Sequence, residues 1–102
     1  MHTPTILPAD SPFQVLFGRG RARDHIGNKR VQQIVQRFHD EYEHADKQGK
    51  TEISNQIIDM VHQSGGRFLK QETTSKPWFE VDRVLAREKI AMFFRKLRRE
   101  SS

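Results

Sequence analysis

The sequence predicts one small α+β domain, in which a three-stranded sheet packs on three helices. Apolar residues recur at helical spacing in three segments, and short β-rich runs bounded by Gly or Pro precede and separate them. The predicted order is a strand, two helices, a β-hairpin and a C-terminal basic helix. Because 102 residues suit a single domain, we expect a flexible tail over 1–12 and one globular domain over 13–100.

The first half of the chain predicts a strand followed by two helices. Residues 13–17 are β-rich and stop at Gly18, and the glycines that follow favour a loop up to Gly27. Asn28 is a favourable N-cap for a helix over 29–45, and Thr51 for a helix that ends near residue 63. The residues predicted to face the core from these helices are Val31, Ile34, Val35, Phe38, Tyr42, Ala45, Ile53, Ile57, Ile58 and Val61.

The second half predicts a hairpin and a third helix. Gly65 or Gly66 can take the left-handed conformation that ends a helix. Strands are expected over 67–71 and 78–81, with Pro77 at the start of the second, where a missing amide is tolerated. Asp82 is the predicted N-cap of a helix that runs to about residue 99. Its apolar face consists of Ala86, Ile90, Phe93, Phe94 and Leu97.

Charge is distributed unevenly along this chain, whose formal net charge is +5. Residues 19–30 and 87–99 are basic, whereas residues 40–46 contain four acids and neither Lys nor Arg. A polyanionic partner would therefore be attracted by the first two segments and repelled by the third.

The composition argues against several classes of protein. The chain has no cysteine, which excludes disulfides and thiolate chemistry. No apolar run approaches the roughly 18 residues that span a bilayer. The histidines at 25, 39, 44 and 62 form no i, i+4 pair, so we expect no metal site. Neither a Ser-His-Asp pattern nor paired carboxylates stand out, so we expect neither an enzyme nor a cofactor.

Several short motifs occur together from Val15 onward. They are Val15-Leu-Phe-Gly-Arg-Gly20, His25-Ile-Gly-Asn28, Gly65-Gly-Arg-Phe-Leu69, Trp78-Phe-Glu-Val81 and Ala86-Arg-Glu-Lys89. In this combination the chain resembles a family of uncharacterised domains associated with diatoms and other protists. Val31 stands where members of that family often place Phe. The resemblance implies a domain that covers most of the chain, and it implies no activity.

The first candidate site is the Gly-rich loop with the cations Arg19, Arg21, Arg23, Lys29 and Arg30. Free amides and the helix dipole at a helix N-terminus favour phosphate. The loop lacks the Gly-Lys-Ser/Thr ending of a P-loop and retains only one Gly-x-Gly pair of the dinucleotide fingerprint. The alternative is a structural turn, braced by His25, whose arginines pair with Asp24 and with the acidic end of the first helix.

The second candidate is the C-terminal helix. The part of its circumference outside the apolar face carries Arg87, Lys89, Arg95, Lys96, Arg98 and Arg99. A basic helix of this kind can lie in a DNA groove or along phosphates. The alternatives are a solvated face, or a surface for an acidic protein or a membrane.

The hairpin is the third candidate. Arg67, Lys70 and Lys76 would contact phosphates as a wing does, and Trp78 or Phe79 would stack on a base. The alternative is that Phe68, Trp78 and Val81 are core residues. A standard winged-helix mode is disfavoured, because the second predicted helix carries Glu52 and Asp59 and no Lys or Arg.

These observations predict a nucleic-acid-binding domain that contacts phosphates through the Gly-rich loop and the C-terminal helix. Duplex DNA is favoured over RNA, and the expected location is inside the cell, with the nucleus favoured. The alternative is a protein-interaction module that docks an acidic partner.

Overall fold

A computed structural model of the protein describes residues 13–18, 25–73 and 76–101. The elements are β1 (Val15–Leu16), α1 (Ile26–His44), α2 (Lys47–Gln63), β2 (Phe68–Lys70), β3 (Phe79–Glu80) and α3 (Arg83–Ser101). Three helices pack with one small mixed sheet, which confirms the predicted α+β class. Within the described ranges, no helix has the length and apolar character needed to cross a membrane.

The sheet has the order β1-β2-β3, with β1 parallel and β3 antiparallel to the central β2. The predicted hairpin is therefore present as β2 and β3, and the first strand joins it through a crossover made of α1 and α2. All three strands are shorter than predicted. The two-residue β1 pairs Val15 with Phe68 and Leu16 with Leu69.

The helix α1 begins at Ile26, three residues earlier than predicted, so the prediction that Asn28 is its N-cap is wrong. His25 occupies the N-cap position and makes no capping side-chain hydrogen bond. Asn28 is fully buried, and its side chain serves β1 instead. Leu16 N–H donates to Asn28 Oδ1 at 2.7 Å, and Asn28 Nδ2 donates to the Leu16 carbonyl oxygen at 2.9 Å.

Gly27 explains why Asn28 can reach the strand. A Cβ at this position would overlap the carbonyl oxygen of Gln14, so the start of α1 lies directly against β1. On its other side β1 bonds to β2, through Val15 N–H to the Arg67 oxygen at 2.9 Å and Phe17 N–H to the Leu69 oxygen at 2.8 Å. The Asn28 amide therefore pairs with the edge of β1 as a neighbouring strand would.

The helix α2 also begins earlier than predicted. Its N-cap is Asp46, whose Oδ1 accepts from Gly49 N–H at 2.8 Å. Thr51 lies inside the helix and donates its hydroxyl hydrogen to the Lys47 carbonyl oxygen, so the prediction that it caps α2 is wrong. At the C-terminal end Gly65 has φ +90°, the left-handed conformation expected there. The predicted cap of α3 is present, since Leu85 N–H donates to Asp82 Oδ1 at 2.9 Å.

The core lies where the three helices meet the sheet. All four inward residues predicted for α2 are buried, and so are Ala86, Ile90, Phe93 and Phe94 of α3. Val31 and Val35 of α1 are buried too, while the other predicted core residues of this helix are only partly buried. Tyr42 stacks on Phe94 with a ring-centroid distance of 3.7 Å, which fixes the end of α1 against α3. This packing leaves the opposite face of α3 open to solvent.

Candidate nucleic-acid interface

A groove of about 600 Å³ runs along the outward face of α3 beside the end of β1. Its lining residues are Gly18, Lys89, Met92, Phe93, Arg95, Lys96, Arg98 and Arg99. Gly18 is the first residue of the predicted Gly-rich loop and has φ 135°. The structure thus brings the start of that loop next to the basic helix. Among the described residues, none that lines the groove is acidic, so an anion there would meet an excess of positive charge.

Three of the groove cations have no acidic partner among the described residues. Arg95 and Arg99 are exposed and Lys96 is partly exposed. No ion pair joins any of them to a carboxylate in the part of the chain that the structure describes. Their spacing of three and four residues along α3 places them on one side of the helix. They therefore form a charged rim that is open to a ligand.

Arg98 differs, because it is bound to the acidic end of α1. Its Nε donates to Glu43 Oε1 at 3.1 Å and its second amino group to Oε2 at 2.8 Å. This bidentate contact lowers the pKa of Glu43, chiefly through the hydrogen bond from Arg98. The acidic end of α1 thus pairs with an arginine of α3, whereas the alternative that the loop arginines pair with it concerns Arg19, Arg21 and Arg23, which lie outside the described residues.

Lys89 is not the solvated surface cation that the sequence suggested. Its residue surface is only 5 % exposed, and its Nζ lies 5.3 Å from the ring centroids of both Phe17 and Phe93. Burial, together with the nearby Lys96 ammonium, lowers the pKa of Lys89. Lys89 is the most buried cation of the groove lining, and we call it the floor of the groove and the exposed cations its rim.

The remaining predicted residues of α3 and the hairpin lie away from the groove. Arg87 faces α2, where it donates to Asn55 Oδ1 at 3.3 Å. Arg67 donates to the Gly66 carbonyl oxygen, and its Nε lies 3.4 Å from Glu80 Oε2. Lys70 is exposed at the end of β2. In the hairpin, Phe68 and Val81 are buried, in line with the core interpretation, whereas Trp78 is only partly buried and Phe79 packs against the core instead.

Lys29 and Arg30 are exposed in the first turns of α1. The Arg30 guanidinium lies 4.8 Å from the ring centroid of Phe13. Lys29 stands one turn before Gln32, which shares a small cleft with Lys96. Neither Lys29 nor Arg30 is among the residues that line the groove. Arg19, Arg21 and Arg23 lie outside the described residues.

Two groove residues, Met92 and Phe93, were not predicted as site residues. Met92 is 50 % exposed and supplies an apolar surface among the cations. Lys89 was predicted among the cations outside the apolar face, although it stands four residues before Phe93 and therefore at the margin of that face. This spacing in the sequence could have predicted that Lys89 is buried. In the described ranges, no group of three His, Cys, Asp or Glu residues is arranged to hold a metal ion.

Comparison with known proteins places the chain in a family. The profile of a domain of unknown function, DUF6824, matches residues 14–96, and the chain belongs to this family. This match confirms the resemblance to an uncharacterised domain family, whereas the association with diatoms and other protists stays a prediction. No curated protein and no solved structure shows significant similarity to the chain.

Proposed function

We propose that this member of the DUF6824 family binds nucleic acid, with duplex DNA as the favoured ligand. The observation that carries the proposal is the groove on α3, where five Lys and Arg side chains meet the start of the Gly-rich loop and no acid lines the surface. Arg95, Lys96 and Arg99 form the rim and would contact successive phosphates. Lys29 and the loop cations would extend this surface.

The charge balance of α3 supports a polyanionic ligand. The helix contains seven Lys or Arg residues and two acids, Glu88 and Glu100. Two of the cations are neutralised within the fold, because Arg83 pairs with Asp59 at 2.9 Å and Arg98 with Glu43 at 2.8 Å. The unpaired cations are concentrated on the groove side. A duplex presents phosphates in a regular row, and Lys and Arg that neutralise them release condensed counterions.

The test is a titration of duplex DNA of random sequence at several salt concentrations, with the double variant Arg95→Ala/Arg99→Ala beside the wild type. Affinity should fall steeply with salt, by about 0.9 logarithmic units per phosphate neutralised. The double variant should flatten that slope by about two. Neither side chain is part of the core, so circular dichroism should show an unchanged fold.

A matched control removes the same charge elsewhere. Arg37 and Lys76 are exposed and do not line the groove. Arg37→Ala/Lys76→Ala should therefore change the salt slope much less than the rim variant. If the two variants changed the salt slope equally, binding would depend only on the net charge of the protein and not on the position of the groove cations. If the wild type does not bind duplex DNA at low salt but binds an acidic polypeptide such as polyglutamate, the protein-interaction alternative replaces this proposal.

A further inference from the structure

Lys89 is a buried residue without a counter-charge among the described residues. In this part of the chain no carboxylate forms an ion pair with it, and no hydrogen bond to its Nζ occurs. Its closest recorded contacts are the faces of Phe17 and Phe93, each 5.3 Å from the amine. The one charged side chain that shifts the pKa of Lys89 among the described residues is Lys96, which is itself a cation. The described residues therefore supply no anion to Lys89, and a bound anion would balance its charge.

Physical chemistry makes this arrangement unusual for a purely structural residue. Taking an ammonium out of water is unfavourable unless an opposite charge accompanies it. Cation–π attraction to aromatic faces offsets part of this desolvation free energy. A neutral side chain of similar length, such as Met, would fill the same space without the cost of removing a charge from water. Because the amine lines an open groove, a ligand can supply the missing anion there.

We propose that Lys89 forms the binding seat for a terminal phosphate of a nucleic-acid strand, a phosphate monoester that enters the groove lined by Phe93 and Met92. This inference rests on the nucleic-acid binding proposed above. It adds that the groove recognises a phosphorylated strand end, while the rim cations Arg95, Lys96 and Arg99 contact phosphates further along the strand.

The depth of the amine favours a terminal phosphate over an internal one. A phosphodiester within a duplex carries a sugar on each side and lies on a convex surface, so it meets the rim before the floor. A terminal phosphate is attached through one oxygen, projects from the strand and carries about −1.5 to −2 charges near pH 7. The groove volume of about 600 Å³ is within the range of sites for small ligands. Exposed Met92 offers an apolar wall for the last sugar or base.

The experiment compares two blunt DNA duplexes of one sequence, with 5′-phosphate or 5′-hydroxyl ends, by fluorescence anisotropy. Wild-type protein should bind the phosphorylated duplex about ten- to a hundredfold more tightly, the range of one charge-assisted hydrogen bond. Lys89→Met should abolish this difference, so that the two duplexes bind with the same affinity. Arg99→Ala, the rim control, should weaken both complexes equally and keep the difference.

A second measurement uses the wild type alone, so it does not depend on how the variant folds. The ring proton resonances of Phe17 and Phe93 should shift on titration with a short 5′-phosphorylated oligonucleotide. The 5′-hydroxyl oligonucleotide should leave them in place. A phosphoserine peptide titrated in parallel tests whether another phosphate monoester takes the seat.

The outcomes separate this inference from the proposed function. Salt-dependent binding of both duplexes with equal affinity, or an end preference that survives in Lys89→Met, overturns the seat and leaves nucleic-acid binding intact. If the Phe17 and Phe93 resonances do not shift on titration with the 5′-phosphorylated oligonucleotide, the proposed phosphate seat at Lys89 is also wrong. A phosphopeptide that shifts the rings while the oligonucleotide does not overturns the choice of nucleic acid. Absence of all DNA binding at low salt overturns both proposals.

Discussion

Replacing Asn28 by Ala should destabilise the protein more than most single changes. The side chain satisfies both backbone groups of Leu16, with hydrogen bonds of 2.7 and 2.9 Å in a fully buried position. A buried polar group that loses its partner costs about 1–3 kcal/mol. Because the substitution removes the partners of two such groups, we expect the free energy of unfolding to fall by about 2–6 kcal/mol. Native domains are stable by only about 5–15 kcal/mol, so this loss is a large fraction.

Urea denaturation followed by circular dichroism measures this loss, and Asn55→Ala is the matched control. Asn55 accepts hydrogen bonds from Arg83 and Arg87 at 3.4 and 3.3 Å near the surface, where water can replace them. Its removal should cost less than about 1 kcal/mol. Equal losses from the two variants would refute the view that Asn28 replaces a strand at the edge of β1.

The variant Asn28→Asp should make the stability of the protein depend on pH. The carboxylate keeps an acceptor for Leu16 N–H but sets its second oxygen against the Leu16 carbonyl oxygen, which requires a donor. Protonation restores that donor, so the pKa of the new carboxyl should be raised in the folded state. The stability of this variant relative to wild type should therefore be best below the unfolded pKa of about 3.9 and should decline as pH rises through the folded pKa. A constant difference between the two proteins from pH 4 to 7 would contradict the assigned hydrogen bonds.

Two further predictions concern the core and one histidine. Phe94→Ala should lower the free energy of unfolding by about 3–5 kcal/mol, because Phe94 is 1 % exposed and stacks on Tyr42. Phe38→Ala should cost less because Phe38 is only partly buried, and similar urea midpoints for the two variants would contradict this ranking. Burial, assisted by Arg67, lowers the pKa of His62, so the neutral ring contributes stability above the unfolded pKa of about 6.5. That contribution is lost as pH falls through the lower folded pKa, and thermal melts of His62→Gln between pH 7.5 and 5 should show a shallower decline than those of wild type.

The helices were predictable because their signal is local. Apolar residues at a spacing of three and four form one face of a helix whatever it packs against. The residues assigned to the inward face of α2 are all buried, as are four of the five assigned to α3. The cap at Asp82 and the left-handed Gly65 were also predictable, since each acts on residues next to it in sequence.

The start of α1 was mispredicted for a reason that lies outside the local sequence. Asn is a common N-cap because its side chain accepts from amides one turn ahead. At Asn28 the competing partner is Leu16, twelve residues earlier, which the fold brings into contact through Gly27. The Asn28 side chain makes two buried, long-range hydrogen bonds to Leu16 instead of capping the helix. The helix α1 therefore begins before Asn28, at Ile26.

The sequence by itself determined the charge of the protein, the lack of cysteine chemistry, the three amphipathic helices and the basic character of α3. Only the tertiary structure decided which cations remain available to a ligand. Glu43 neutralises Arg98 across 55 residues, while Phe17 and Phe93 enclose Lys89 at the floor of the groove. Coulombic pairing and desolvation depend on distances through space, and a sequence gives only distances along the chain.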